Sequence, residues 1–240
     1  MLTRERFDAV LFDLDGVLTD TAKVHALCWK RMFDEFLKRR GEDYRPFDLN
    51  EDYRRHVDGK PRYEGVRDFL ASRGIELPMG DSSEPPGWGT VSGLGNRKNE
   101  LINETLAAEG VDVYEKSVVL VRRLLDQGFR TAVVSSSKNC EAILKAADIS
   151  DLFEVRVDGV VAAREHLAGK PAPDTFLRAA RLLGAETQRT VVVEDAISGV
   201  QAGRAGGFGL VIGVDRHDDA EALRAGGADV VVADLGEFLP

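Results

Sequence analysis

Five short apolar runs, the first three ending in polar side chains, constrain this chain more than any other feature. AVLFDL (9–14), TAVVSS (131–136) and TVVVED (190–195) are followed by GLVIGV (209–214) and ADVVVA (228–233). Continuous apolar runs of this length suit strands covered on both faces, as in a parallel sheet. Helical patterns lie between them: VVLVRRLLDQG (118–128), CEAILKAAD (140–148), DTFLRAARLLG (174–184) and ISGVQAGRAG (197–206). Several of these stop at glycine, the residue that most readily ends a helix. Strands alternating with helices predict an α/β fold with a doubly wound parallel-sheet core. Ligands of such sheets bind beyond the carboxyl ends of the strands, where the polar residues of this chain cluster.

Residues 19–112 break the alternation. They carry helical patterns, AKVHALCWKRMFDEFLKRR and NELINETLAAEG, and no convincing strand. The expectation is an inserted helical cap domain over 19–112, with 1–18 and 113–240 forming a Rossmann-like catalytic core. Within the insert, 78–96 (PMGDSSEPPGWGTVSGLGN) is crowded with Gly, Pro and Ser and reads as a long loop. It is either a lid or specificity loop that offers the flat face of Trp88, or a plain surface connection.

Composition narrows the function classes. With 32 basic against 41 acidic residues the net charge is −9, which argues against a sequence-independent nucleic-acid binder. A phosphate ester stays open as a substrate, because one or two local cations suffice at a small site. Cys28 and Cys140 lie far apart with no Cys/His cluster near either, so free thiols are expected and zinc is not. No apolar segment approaches the ~20 residues that a membrane span needs, and the N-terminus lacks a secretory apolar run. A cytoplasmic monomer with no membrane or nucleic-acid partner is expected.

The chemistry resides in four clusters. Asp13-Leu14-Asp15-Gly16 closes the first run; period-two geometry turns both carboxylates one way, although the chain is expected to be turning by Asp15. Two acids at one strand end repel, so one needs a cation or the other keeps a proton. Magnesium, a hard cation bound through carboxylate and carbonyl oxygens, meets the first need. A protonated Asp15 then suits general acid and base work beside a nucleophile. Alone, the pair equally fits solvated acids in a turn. Ser135-Ser136-Ser137-Lys138-Asn139 follows the second run, as a phosphate cradle or a helix N-cap. In Gly169-Lys170-Pro171-Ala172-Pro173-Asp174 the lysine either balances a phosphate and Asp13 or is a surface lysine in a turn. Glu194-Asp195 ends the third run, where charge is costly unless it is paired or on a metal. Together these clusters converge on a metal–phosphate site.

FDLDGVLTDTAKVH, VVSSSKN, GKPAPD and VVVEDAISGVQAG closely resemble the four motifs of the haloacid-dehalogenase-like phosphatase superfamily, specifically its β-phosphoglucomutase-like branch, across residues 7 to 206. The resemblance implies magnesium-dependent phosphoryl transfer on a sugar phosphate through an aspartyl-phosphate. By it Asp13 is the nucleophile, and Asp15 is the general acid/base whose backbone carbonyl also touches the metal. Ser135 and Lys170 hold the transferring group, and Glu194 and Asp195 complete the metal shell. Ser136, Ser137, Lys138 and Asn139 join the substrate-binding set. Thr21 and His25 help to position the acid/base. Arg62, in Gly59-Lys60-Pro61-Arg62, grips the substrate's non-reacting phosphate, and Lys98, in Arg97-Lys98-Asn99, is a second binding residue.

Two departures from the branch stand out. The cap is longer, mainly through 63–96, and Tyr114-Glu115-Lys116-Ser117 replaces the usual proline-glycine turn. The second is expected to alter only loop geometry. A sugar-phosphate phosphatase of the same superfamily is the alternative. The rival from another class is a non-catalytic phospho-acceptor signalling module, but such receivers lack a helical insert after the first strand.

Overall fold

Six all-parallel strands form one sheet in the order β3-β2-β1-β4-β5-β6. They are β1 (Ala9–Phe12), β2 (Arg130–Val134), β3 (Val155–Val157), β4 (Thr190–Glu194), β5 (Leu210–Val214) and β6 (Val230–Val232). The structure, a computed structural model, describes residues 2–41, 45–216 and 218–240. Its contacts divide the chain into two units, Met1–Asp20 with Val111–Pro240, and Thr21–Gly110.

In the first unit the expected α/β alternation is present. All four β1 residues are buried, as a central parallel strand requires. Helix α7 (Asp174–Leu182) and helix α8 (Ile197–Ala205) cover one face, packing Phe176, Ala179 and Val200 against Leu11, Val134 and Val192. Helix α4 (Glu115–Asp126) packs on β2 and buries Leu120, Val121 and Leu124. The strand order reverses on either side of β1, and at such a switch point the flanking loops diverge and leave a crevice.

Three elements were not expected. Strand β3 has three residues and a half-exposed Arg156, so it carries no apolar run. Helix α6 (Gly159–Glu165) buries none of its residues and helix α9 (Ala220–Gly226) only Leu223, so neither carries an apolar face to read. Helix α5 (Cys140–Ala146) matches its pattern.

The second unit consists of helix α1 (Ala22–Arg40), one turn of π-helix (Tyr53–Val57), helix α2 (Arg62–Ser72) and helix α3 (Val91–Glu109), with no strand among its described residues. Its core is aromatic. Phe33 stacks on Trp29 at 5.3 Å and on Phe47 at 5.2 Å, and meets Phe69 at 4.0 Å.

The expected loop over 78–96 ends earlier than its composition suggests. Helix α3 begins at Val91, with the Thr90 hydroxyl accepting from Gly93 N at 2.9 Å as its N-cap. Gly93 and Gly95 disguise this start, since glycine costs about 1 kcal/mol inside a helix. Packing explains both: a Cβ on Gly93 would lie 2.9 Å from Thr90 Oγ1, and one on Gly95 2.7 Å from the Tyr63 ring. The preceding loop is held down. Trp88 lies between the guanidiniums of Arg39 (4.5 Å) and Arg97 (4.3 Å), and Glu35 pairs with both arginines.

Phe33 touches three other rings at the centre of this core. Phe33→Ala is expected to destabilise the protein by about 3–5 kcal/mol, read as a lowered urea midpoint, with the far-ultraviolet circular dichroism of the α/β core retained below the transition.

Candidate active site

Register in the sheet brings the acids together. Phe12 of β1 pairs with Val193 of β4, and the ladder continues one residue further, Asp13 N donating to Val193 O at 2.9 Å. Asp13 thus leaves its strand beside Glu194 and Asp195. One carboxylate oxygen from each of Asp13, Glu194 and Asp195 lies within 4.8 Å of the others. Asp13 is 7% exposed and Glu194 is fully buried. Two glycines make this crowding possible. A Cβ on Gly199 would overlap the Glu194 carboxylate, and one on Gly16 would overlap Asp195. Gly16 also has φ +82°, a left-handed conformation that turns the chain out of the strand.

The Lys170 ammonium, itself buried, forms ion pairs with both Asp13 and Glu194. Burial disfavours its charge, but the two carboxylates outweigh burial and hold its pKa above the ordinary lysine range. Glu194 is pushed up to about 7 by burial; Lys170 opposes the shift and the Asp13 charge adds to it. Glu194 Oε2 also accepts from Ala196 N at 3.0 Å. Hard oxygen donors in excess of their lysine partner fit a divalent cation of the magnesium class. The Asp15 carboxylate is not a member of the three-acid set. Asp15 is half-buried and bridges to Thr19 in the turn after β1.

The hydroxyl-rich loop follows β2. Ser135 is buried, and its Oγ accepts from Ser137 N at 3.1 Å, while Ser137 Oγ accepts from Asn139 N at 3.1 Å. These bonds fold the loop on itself, and no side-chain cap is made at the start of α5. Ser136 and Lys138 face Gly159, where a Cβ would lie 2.6 Å from Ser136 O.

Of the residues expected to bind substrate, four belong to the helical unit. Thr21 is buried at the head of α1, and its carbonyl accepts from His25 N at 2.8 Å. Lys98 is buried, with its Nζ 3.1 Å from His25 Nδ1 and 4.9 Å from the Trp29 ring centre. His25 is held well below the usual histidine range by burial and then by the Lys98 and Arg62 charges, so at neutral pH it is the uncharged imidazole. Arg62 Nη2 donates to Asn99 Oδ1 at 2.9 Å. The unit therefore gathers two cations and a neutral imidazole.

The model of haloacid dehalogenase-like hydrolases matches residues 7–207. The chain belongs to that family. A β-phosphoglucomutase of Mycobacterium bovis is 49% identical over 242 residues, covering 98% of this chain and 92% of its own. A β-phosphoglucomutase of Bacillus subtilis is 31% identical, covering 96% and 91%. Among solved structures, a β-phosphoglucomutase of Clostridium difficile aligns over 97% of this chain and 93% of its own with a TM-score of 0.77; at 22% identity it bears on the fold. As a haloacid dehalogenase-like hydrolase of this kind, the protein is an enzyme of a phosphomutase and phosphatase family.

Several supporting residues escape sequence reasoning. Arg216 Nε donates to Gly16 O at 2.7 Å, and its guanidinium lies 3.7 Å from the centre of the Tyr114 ring. Tyr114 OH donates to Asp20 Oδ1 at 2.8 Å, and burial, followed by that bond, raises the phenol pKa. The departure at 114–117 thus does more than reshape a loop, because it ties α4 to the turn carrying Gly16. Asp158, buried, caps α6 by accepting from Val160 N and Val161 N at 2.9 Å each. An aspartate before VVAAREH is a readable N-cap signal; the other contacts join residues up to 200 positions apart and leave no local signature.

Gly199→Ala must displace a buried, ion-paired carboxylate. It is expected to weaken divalent-cation binding about 10-fold or more while the protein stays folded, as isothermal titration with magnesium will show.

Proposed function

We propose that this enzyme moves the phosphoryl group of a sugar phosphate through a phosphorylated Asp13, as a β-phosphoglucomutase, with magnesium as its cofactor. The observation that carries the reading is the Lys170 ammonium set between Asp13 and Glu194, in a pocket of acids at the carboxyl ends of β1 and β4. The 49% identity to a β-phosphoglucomutase over nearly the whole chain supports the choice of mutase.

Asp13, Glu194 and Asp195 would hold the ion through their carboxylates and Asp15 through its backbone oxygen. When bound, magnesium would supply positive charge beside the phosphoryl oxygens, the kind of stabilisation that phosphoryl transfer needs. An Asp13 oxygen attacks phosphorus as the bond to the sugar oxygen breaks, and Asp15 gives that oxygen its proton. Lys170 offsets the charge that Asp13 and the transferring group bring together, and Ser135 donates to a phosphoryl oxygen, with Ser136, Ser137, Lys138 and Asn139 lining the same loop. In the second half, Asp15 takes the proton from another sugar hydroxyl as that oxygen attacks the phospho-aspartate, which restores Asp13. A neutral Asp13–Lys170 pair at rest would lower the barrier by preorganisation rather than by reorganising water.

We assign the helical unit the role of a cap that reads the rest of the substrate. Arg62 and Lys98 supply charge for the non-reacting phosphate, and Thr21 and a neutral His25 accept or relay hydrogen bonds without adding a third cation. Two buried cysteines that form no disulfide, and the absence of any membrane-length apolar helix among the described residues, suit a cytoplasmic setting.

The test is an assay with β-glucose 1-phosphate, magnesium and a trace of sugar bisphosphate, following both the 6-phosphate and free phosphate. Formation of the 6-phosphate, lost with a chelator and regained with magnesium, is expected. Free phosphate as the sole product would make the enzyme a phosphatase and refute the mutase assignment. Asp13→Asn is expected to lower turnover by more than about 10⁴-fold with an unchanged melting temperature. Asp15→Asn should slow esters with poor leaving groups far more than aryl esters, since only the former need the acid.

A further inference from the structure

The loop ahead of α3 takes no part in the chemistry above, yet it is bonded to a residue that does. Asn96, in the second turn of α3, donates through Nδ2 to two loop carbonyls, Ser82 O at 3.2 Å and Glu84 O at 2.8 Å. Two carbonyl oxygens on one side admit only the amide nitrogen there, so the assignment of the amide is fixed by its neighbours. Oδ1 therefore faces the other way. It accepts from Tyr63 OH at 2.8 Å and lies 3.5 Å from Arg62 Nη1. The second Arg62 amino group, Nη2, bonds Asn99 Oδ1 at 2.9 Å, one turn further along α3.

Arg62 is thus half-buried between two neutral amides, and no carboxylate pairs with it among the described residues. A carboxylate in place of either asparagine would neutralise the guanidinium; an amide orients it and leaves its full charge for an incoming anion. The packing is equally specific. A Cβ on Gly95 would lie 2.7 Å from the Tyr63 ring and 3.1 Å from Arg62 Cδ, so α3 carries its glycine where these two side chains cross it. The loop end of the chain is fixed independently by Trp88 between Arg39 and Arg97, and by Gly87 N donating to Gly93 O at 3.0 Å.

We infer that Asn96 is a positioning residue through which the 81–90 loop sets the Arg62 guanidinium for the non-reacting phosphate of the sugar substrate. The inference rests on the role given to Arg62 above. It makes the insert a determinant of selectivity for sugar bisphosphates over esters with a single phosphate.

The experiment measures steady-state kinetics of Asn96→Ala, Arg62→Ala and the double variant on a sugar bisphosphate and on p-nitrophenyl phosphate, which has no second phosphate. Asn96→Ala is expected to raise KM for the bisphosphate about 10-fold, the scale of one hydrogen bond to a charged group, with kcat and the aryl ester changed less than about twofold. In the Arg62→Ala background it should add nothing, because residues acting through one another are not additive. Penalties that multiply in the double variant would overturn the inference, as would equal losses on both substrates in Asn96→Ala. A selective loss in Arg62→Ala beside a silent Asn96→Ala overturns the inference and spares the reading of Arg62. Equal losses on both substrates in Arg62→Ala remove that reading and the inference with it. Should Asn96→Ala fail to fold, Tyr63→Phe removes one bond to Oδ1 and keeps the ring on Gly95. It is expected to raise the same KM about threefold, and an unchanged KM overturns the inference.

Discussion

The Lys170 ammonium between Asp13 and Glu194 is the interaction on which the catalytic unit depends. Removing such charges from water costs several kcal/mol each unless partners compensate. Three carboxylates against one ammonium leave a formal charge of −3 + 1 = −2 in the pocket. Burial is the main cause of the elevated Glu194 pKa, and the Asp13 charge adds to it while Lys170 opposes it. A divalent ion removes the surplus without protonating a ligand.

That placement is a consequence of sheet register. Strands β1 and β4 pair in parallel, so the residues just past Phe12 and Val193 emerge side by side on the same edge. Slipping either strand by one residue would turn every side chain to the opposite face of the sheet and move Asp13 out of line with Glu194. β2 delivers Ser135 to the same edge, its N–H donating to Val157 O at 3.1 Å. The core therefore sets the acids by topology, and on the proposed mechanism the same scaffold would serve any phosphate ester whose phosphorus reaches Asp13.

Much of this was legible in the residues. Runs such as TVVVED announce both a buried strand and the charges that end it, because a strand covered on two faces has no solvent period to confuse the pattern. Five of the six strands, and Asp13, Lys170, Glu194 and Asp195 as one cluster, follow from that logic. What was hidden was either short or distant. The edge strand β3 is half-exposed, and α6 and α9 complete barely two turns. Arg216 reaches Gly16 across 200 residues, and Tyr114 reaches Asp20 across 94. Such contacts are produced by the fold, and no local spacing encodes them.

The loop of the helical unit shows a different limit. Its Gly, Pro and Ser content indicates irregular backbone correctly as far as Thr90 and misses the helix that starts at Val91; irregular is also not the same as unrestrained. Backbone polar groups outside regular structure still need partners, and here Asn96 supplies two donors, Thr90 caps the helix that follows, and two guanidiniums lie over the Trp88 ring. Composition reports which dihedrals the chain can adopt; it is silent on which side chains elsewhere will hold them. A loop pinned in this way can transmit a fixed geometry to Arg62, whereas a mobile one could not. Differences in this insert would then alter what the enzyme accepts while leaving the acids on the sheet untouched.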